Sequence, residues 1–171
     1  MEAKERRAKI LRLLRSSSAP ITGSELAQKM GVSRQIVVQD VALLRTGGSV
    51  IFATPEGYVM PNVAGKVVRR VIATKHTTNA QMRDELETVV DLGGTMVDVS
   101  IEHPVYGEMT APLRLSSRAG VEVFMRHFES GETSPISQLT GGVHLHTVEA
   151  PDEQTMERIL TALREKGYLV E

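Results

Sequence analysis

The chain has 171 residues, of which 41% are hydrophobic and 24% charged, with a formal net charge of −1, a make-up that fits one medium globular domain or two small ones. Apolar runs such as Ile36-Val37-Val38 fall far short of the roughly 18 residues of a membrane span. No signal-like apolar segment follows Met1-Glu2-Ala3-Lys4-Glu5-Arg6-Arg7. Cysteine is absent, which excludes a disulfide framework and a thiolate metal site, leaves His, Asp and Glu as metal-binding residue types, and suits a cytoplasmic protein.

Charge is unevenly spread. Residues 1–65 hold nine Lys and Arg against five Asp and Glu, whereas residues 66–171 hold eleven against sixteen. A basic head on an acidic body is the division expected of a DNA-binding domain joined to a domain with another task.

Residues 4–15 predict an amphipathic helix, with Ile10, Leu11, Leu13 and Leu14 on one face and Arg6, Arg7, Arg12 and Arg15 on the other. Ser16-Ser17-Ser18-Ala19-Pro20 ends it. Thr22 and Glu25 form the capping box of a second helix reaching about Met30. Gly31-Val32 turns the chain, and Ser33 caps a third helix over 34–46. Two short helices around a Gly-containing turn are a helix-turn-helix. Leu26, Ala27 and Met30 face Val32, Val37, Val41 and Leu44, which leaves Arg34, Gln35, Val38, Gln39, Ala42 and Arg45 outward. The start of the second motif helix enters the major groove in this fold. Arg pairs there with guanine and Gln with adenine, and Ser33 suits a phosphate at the helix N-terminus. The DNA-reading candidates are therefore Ser33, Arg34, Gln35, Val38, Gln39 and Arg45. Val50-Ile51-Phe52-Ala53-Thr54 and Tyr58-Val59-Met60 around Pro55-Glu56-Gly57 predict a hairpin placed as a wing. The segment resembles the helix-turn-helix of the biotin-operon-repressor type. Pro61-Asn62-Val63-Ala64-Gly65 reads as a linker, giving domains at 1–62 and 63–171.

Beyond it, strands are predicted over 67–74, 95–102, 108–115 and 141–149, with a short final strand over 168–170. Helices are predicted over 79–92, 117–128 and 152–166. This mixture implies an α+β sandwich, a sheet with helices on one side.

In Gly141-Gly142-Val143-His144-Leu145-His146-Thr147, residues two apart on a strand share a face, so His144 and His146 project together. His76 follows the first of these strands, and Glu85 lies at the edge of the buried face of the first helix, where a carboxylate needs a cationic partner. Three imidazoles and a carboxylate suit Zn²⁺ or Ni²⁺; the bland alternative is two imidazoles on an exposed strand face. His103 alternates with Ile101 and is expected to face inward beside Tyr106. His127 reads as a solvated helix residue.

His76, Glu102-His103-Pro104-Val105-Tyr106-Gly107-Glu108 and Gly141 to Glu153 resemble the three-histidine (3H) domain. A helix-turn-helix followed by this domain is similar to the niacin-responsive repressors of bacterial NAD biosynthesis and niacin uptake genes. The resemblance implies a homodimeric repressor that binds double-stranded operator DNA with nicotinic acid as corepressor; the residues offer no obvious general base beyond Glu102 or Glu149, no nucleophile elbow and no phosphate loop, so no enzyme is expected. It also implies a transition metal held by His76, Glu85, His144 and His146, with Glu87 close to Glu85 in sequence. His103, Tyr106, Phe124 and Phe128 are candidates for the wall around a pyridine ring. A metal-sensing repressor is the alternative reading.

Overall fold

The structure is a computed structural model that describes residues 2–61 and 67–171. The chain divides into two compact units, 1–65 and 66–171. Residues 62–65 of the predicted linker lie outside the described residues.

The first unit contains α1 (Ala3–Ser16), α2 (Gly23–Met30), α3 (Arg34–Thr46), β1 (Phe52–Thr54) and β2 (Gly57–Val59). Local chemistry sets the helix ends. Thr22 Oγ1 accepts from Glu25 N while Glu25 Oε2 accepts from Thr22 N, closing the capping box of α2. Gly31 ends α2 in the left-handed region at φ 68°, and the Ser33 side chain caps α3. Ile10, Leu14, Leu26, Met30, Val37, Val41 and Ile51 form the core.

Among the described residues, one polar side chain enters that core. Asp40 on α3 is 2% exposed and takes Arg6 Nε at 2.5 Å, with Arg7 also in reach. The first wing strand starts at Phe52, two residues later than predicted, and the Ile51 carbonyl just before it accepts from Arg45 Nε at 2.8 Å. Gly57 lets the wing approach Ile21 closely: a Cβ there would sit 2.6 Å from the Ile21 backbone.

The second unit contains β3 (Val68–Lys75), α4 (Asn79–Asp91), β4 (Thr95–His103), β5 (Gly107–Leu115), α5 (Arg118–Glu129), a 3₁₀ helix (Ile136–Thr140), β6 (Val143–Ala150) and α6 (Glu153–Glu165). The sheet is antiparallel, in the order β3-β6-β4-β5. Leu86, Val89, Met96, Leu115, Val148, Met156, Ile159 and Leu163 fill the space between helices and sheet. This is the α+β arrangement expected. The 3₁₀ helix was not foreseen. The expected final strand is a single bridge, Leu169 to Thr74, on the edge of β3.

Strand β6 inverts the usual burial pattern. His144, His146, Val148 and Ala150 point inward, while Val143 and Leu145 are 39% and 40% exposed. A strand alternating in this way normally buries its aliphatic residues and exposes its imidazoles. Here the parity of Val148 and Ala150, deep in the core, carries His144 and His146 inside with it.

Candidate functional site

Three elements bring four side chains together under the sheet. Strand β3 ends just before His76, β6 carries His144 and His146, and α4 turns Glu85 inward beside Met82, Leu86 and Val89. All four are buried, Glu85 completely. His76 Nε2 lies 3.3 Å from Glu85 Oε2; His144 Nε2 and His146 Nε2 each lie 3.8 Å from a Glu85 oxygen. The two strand histidines approach Nε2 to Nε2 at 3.0 Å. Gly142 permits this meeting. It adopts φ 96°, and a Cβ there would lie 2.5 Å from the His76 carbonyl oxygen.

Hydrogen bonds fix the tautomers of the strand histidines. His144 Nδ1 donates to the Gly142 carbonyl at 2.8 Å, and His146 Nδ1 donates to the Asp98 carbonyl at 2.6 Å. Carbonyls only accept, so in the neutral rings both Nε2 atoms carry lone pairs directed into the cluster. Thr74 Oγ1, 3.0 Å from His144 Nε2, is the hydroxyl nearest that atom among the described hydrogen bonds. Burial favours the neutral form of two of the rings. It pushes His76 down to about 4, against the pull of Glu85, and lowers His146 likewise. Burial raises the Glu85 carboxyl, but positive charge at His144 and His146 outweighs it and holds the group below its ordinary value, so the ionised carboxylate calls for a cation beside it.

Both Glu85 oxygens are buried without a hydrogen-bond partner. A buried carboxylate facing the lone pairs of neutral imidazoles is unfavourable in isolation. A divalent cation would resolve both problems at once, and the donors of His76, Glu85 and His144 all lie within 4.8 Å of one another. His146 adjoins the group through His144 and Glu85. The Nδ1-to-carbonyl bonds are the outer support usual for imidazole ligands. The residues present therefore fit a Zn²⁺- or Ni²⁺-type ion. Glu87 takes no part: it pairs with Arg118 at 3.3 Å and Arg83 at 3.7 Å on the far side of α4.

An apolar cavity of about 200 Å³ adjoins the cluster. His76, His144 and His146 line it, with Met82, Leu86, Leu113, Phe124, Phe128 and Ile136 as walls. Phe124 and Phe128 meet edge to face, centroids 5.1 Å apart. His103 and Tyr106, expected at this wall, are elsewhere. They stack on each other at the β4–β5 turn, Tyr106 is 76% exposed, and His103 Nδ1 accepts the Val105 and Tyr106 amides. The two-residue alternation with Ile101 gives out at the turn, where His103 serves as a local cap.

In the first unit Ser33, Arg34, Gln35, Val38, Gln39 and Arg45 are all exposed on α3 or at its cap. Arg45 also ties the helix to the wing strand. Sequence reasoning missed Asp40, whose pairing with Arg6 and Arg7 spans more than thirty residues. It also missed Ser137 and Ile136, which sit in a stretch without periodicity.

The second unit matches the 3H domain model over residues 69–171, and the first matches an HTH domain model over residues 6–59. The chain belongs to the 3H-domain family. It is 48% identical over 168 residues to the probable transcription repressor NiaR of Thermotoga maritima, covering 98% of this chain and 94% of that protein. It is 43% identical over 168 residues to the transcription repressor NadR of Bacillus subtilis, covering 96% and 93%. The histidine cluster, the cavity and the 3₁₀ helix all lie inside the 3H domain, and the exposed α3 face lies inside the HTH domain. Among the described residues, no helix is long and apolar enough to cross a membrane.

Proposed function

We propose that this chain is a cytoplasmic transcriptional repressor of NAD biosynthesis and niacin uptake genes, binding operator DNA as a homodimer with nicotinic acid as corepressor. The observation that carries the effector half is the apolar cavity whose polar side is the His76–Glu85–His144–His146 cluster. The DNA half is supported by the helix-turn-helix with its exposed Arg34, Gln35 and Gln39 and by the relatives' names as repressors, which also favour a regulator over an enzyme.

His76, Glu85, His144 and His146 would hold a Ni²⁺ or Zn²⁺ ion, which when bound supplies a positive centre for a carboxylate in the cavity. The cavity is smaller than the roughly 300–1,000 Å³ of drug-sized pockets, in keeping with a single-ring ligand. Phe124 and Phe128 offer aromatic faces and edges to such a ring. Its described lining holds no Lys or Arg, so a carboxylate there would have to be neutralised at the metal cluster. The cavity also weighs against the alternative, in which the metal itself is the signal, since a metal sensor needs no apolar chamber beside its ligands.

Effector binding alters repression only by favouring the DNA-competent arrangement of the dimer, in which two recognition helices meet half-sites one helical turn apart. The test is operator affinity at fixed salt, with nicotinate and metal varied independently. Tighter binding only when both are present is expected. Affinity that follows metal and ignores nicotinate would support the metal sensor instead.

A further inference from the structure

Ser137 is the polar side chain in the cavity that the metal cluster leaves unused. It sits on the 3₁₀ helix Ile136–Thr140, is 3% exposed, and lines both the apolar cavity and a second one bounded by Thr77, Asn79 and Gly142. Its carbonyl is fully engaged, accepting from Gly142 N at 2.9 Å and Thr140 Oγ1 at 3.1 Å. These bonds fix Ser137 against the same Gly142 whose carbonyl orients His144. Its hydroxyl enters none of the described hydrogen bonds and borders the open space of the cavity, whereas the hydroxyls of Thr74, Thr88 and Ser100 are all engaged. Apart from the histidines, the remaining lining residues are apolar.

We propose that the Ser137 hydroxyl reads the ring nitrogen of the ligand. This rests on the nicotinate reading above. Nicotinate carries one charged acceptor and one neutral acceptor. With no Lys or Arg in the lining, the carboxylate belongs on the side of the metal cluster. The neutral pyridine nitrogen then needs one neutral donor, and a hydroxyl on the cavity wall that enters no described hydrogen bond supplies it. A site built around such a donor discriminates against an analogue lacking the acceptor, because the hydroxyl is then buried unpaired. Ser137 is thus a specificity residue that separates pyridine carboxylates from benzene carboxylates of the same shape.

The test is calorimetric titration of nicotinate and of benzoate into the full-length, metal-loaded protein, comparing the unmodified chain with Ser137→Ala. The unmodified protein should prefer nicotinate over benzoate by about five- to tenfold, the worth of one hydrogen bond. In Ser137→Ala, nicotinate should weaken to near the benzoate level, with benzoate affinity and metal content nearly unchanged. Ser137→Cys, which keeps the volume with a weaker donor, should fall between, and it carries the comparison should the alanine variant fold poorly. Equal weakening of both ligands, or an unchanged preference, would overturn the assignment while leaving the nicotinate reading intact. An unmodified metal-loaded protein that binds neither ligand would overturn both.

Discussion

The Nε2 lone pairs of His144 and His146 face each other at 3.0 Å, beside a carboxylate with no hydrogen-bond donor. Removing the charge at Glu85 should therefore act in opposite directions on two properties. Glu85→Gln should raise or leave unchanged the melting temperature of metal-free protein, because a buried amide costs less than an unpaired carboxylate. It should also weaken metal binding by about a hundredfold or more in a chelator competition. A lower melting temperature without metal would show that Glu85 is stabilised by contacts other than a cation.

The imidazoles predict a pH dependence. His76 titrates near 4 when folded and at about 6.5 when unfolded. Between those values the unfolded chain holds a proton that the folded chain lacks. The metal-free protein should thus be fully stable above about pH 6.5 and lose about 3 kcal/mol from this group by pH 4. Denaturant midpoints measured across that range check it. Bound metal competes with the same protons, so acid should release it. The shared face of His144 and His146 was legible from their spacing. Their inward direction was not, because aliphatic Val143 and Leu145 are the stronger candidates for burial; only the register with Val148 and Ala150 settles it.

Elements meet where the sequence signal is weakest. The helices and strands carry caps and periodicity, and their limits fall within two residues of those predicted. The 3₁₀ helix has no side-chain cap and is too short for periodicity, yet it supplies Ile136 and Ser137 to the cavity. Gly142 links it to the histidine cluster. Gly142→Ala would place a Cβ 2.5 Å from the His76 carbonyl oxygen in a backbone region strained for alanine. The expected loss is about 1–3 kcal/mol of stability, together with weaker metal binding, read by thermal denaturation and chelator competition. In the first unit, α3 is fastened to α1 by Asp40 with Arg6 and Arg7, and to the wing by Arg45. No local pattern announces these ties, because each depends on residues distant in the chain or on backbone carbonyls. Arg34→Ala or Gln35→Ala should cost about 1–3 kcal/mol of operator affinity, concentrated at one base position. Uniform loss across operator variants, measured by competition binding, would assign the residue to phosphate contact instead.

Across the whole molecule, the two halves of the sequence differ in charge as well as in fold: a basic helix-turn-helix precedes an acidic 3H domain. That division was visible in composition alone, whereas the cavity was visible nowhere in it, since its wall combines helix, strand and 3₁₀ residues that only tertiary packing brings together. The central claim is that the histidine cluster and the cavity form one effector site. Calorimetric titration of nicotinate into the same protein preparation, metal-loaded and chelator-stripped, tests it most directly. Saturable one-to-one binding that vanishes on stripping and returns with added Zn²⁺ or Ni²⁺ is the result expected. Nicotinate binding of equal strength with and without metal would contradict it.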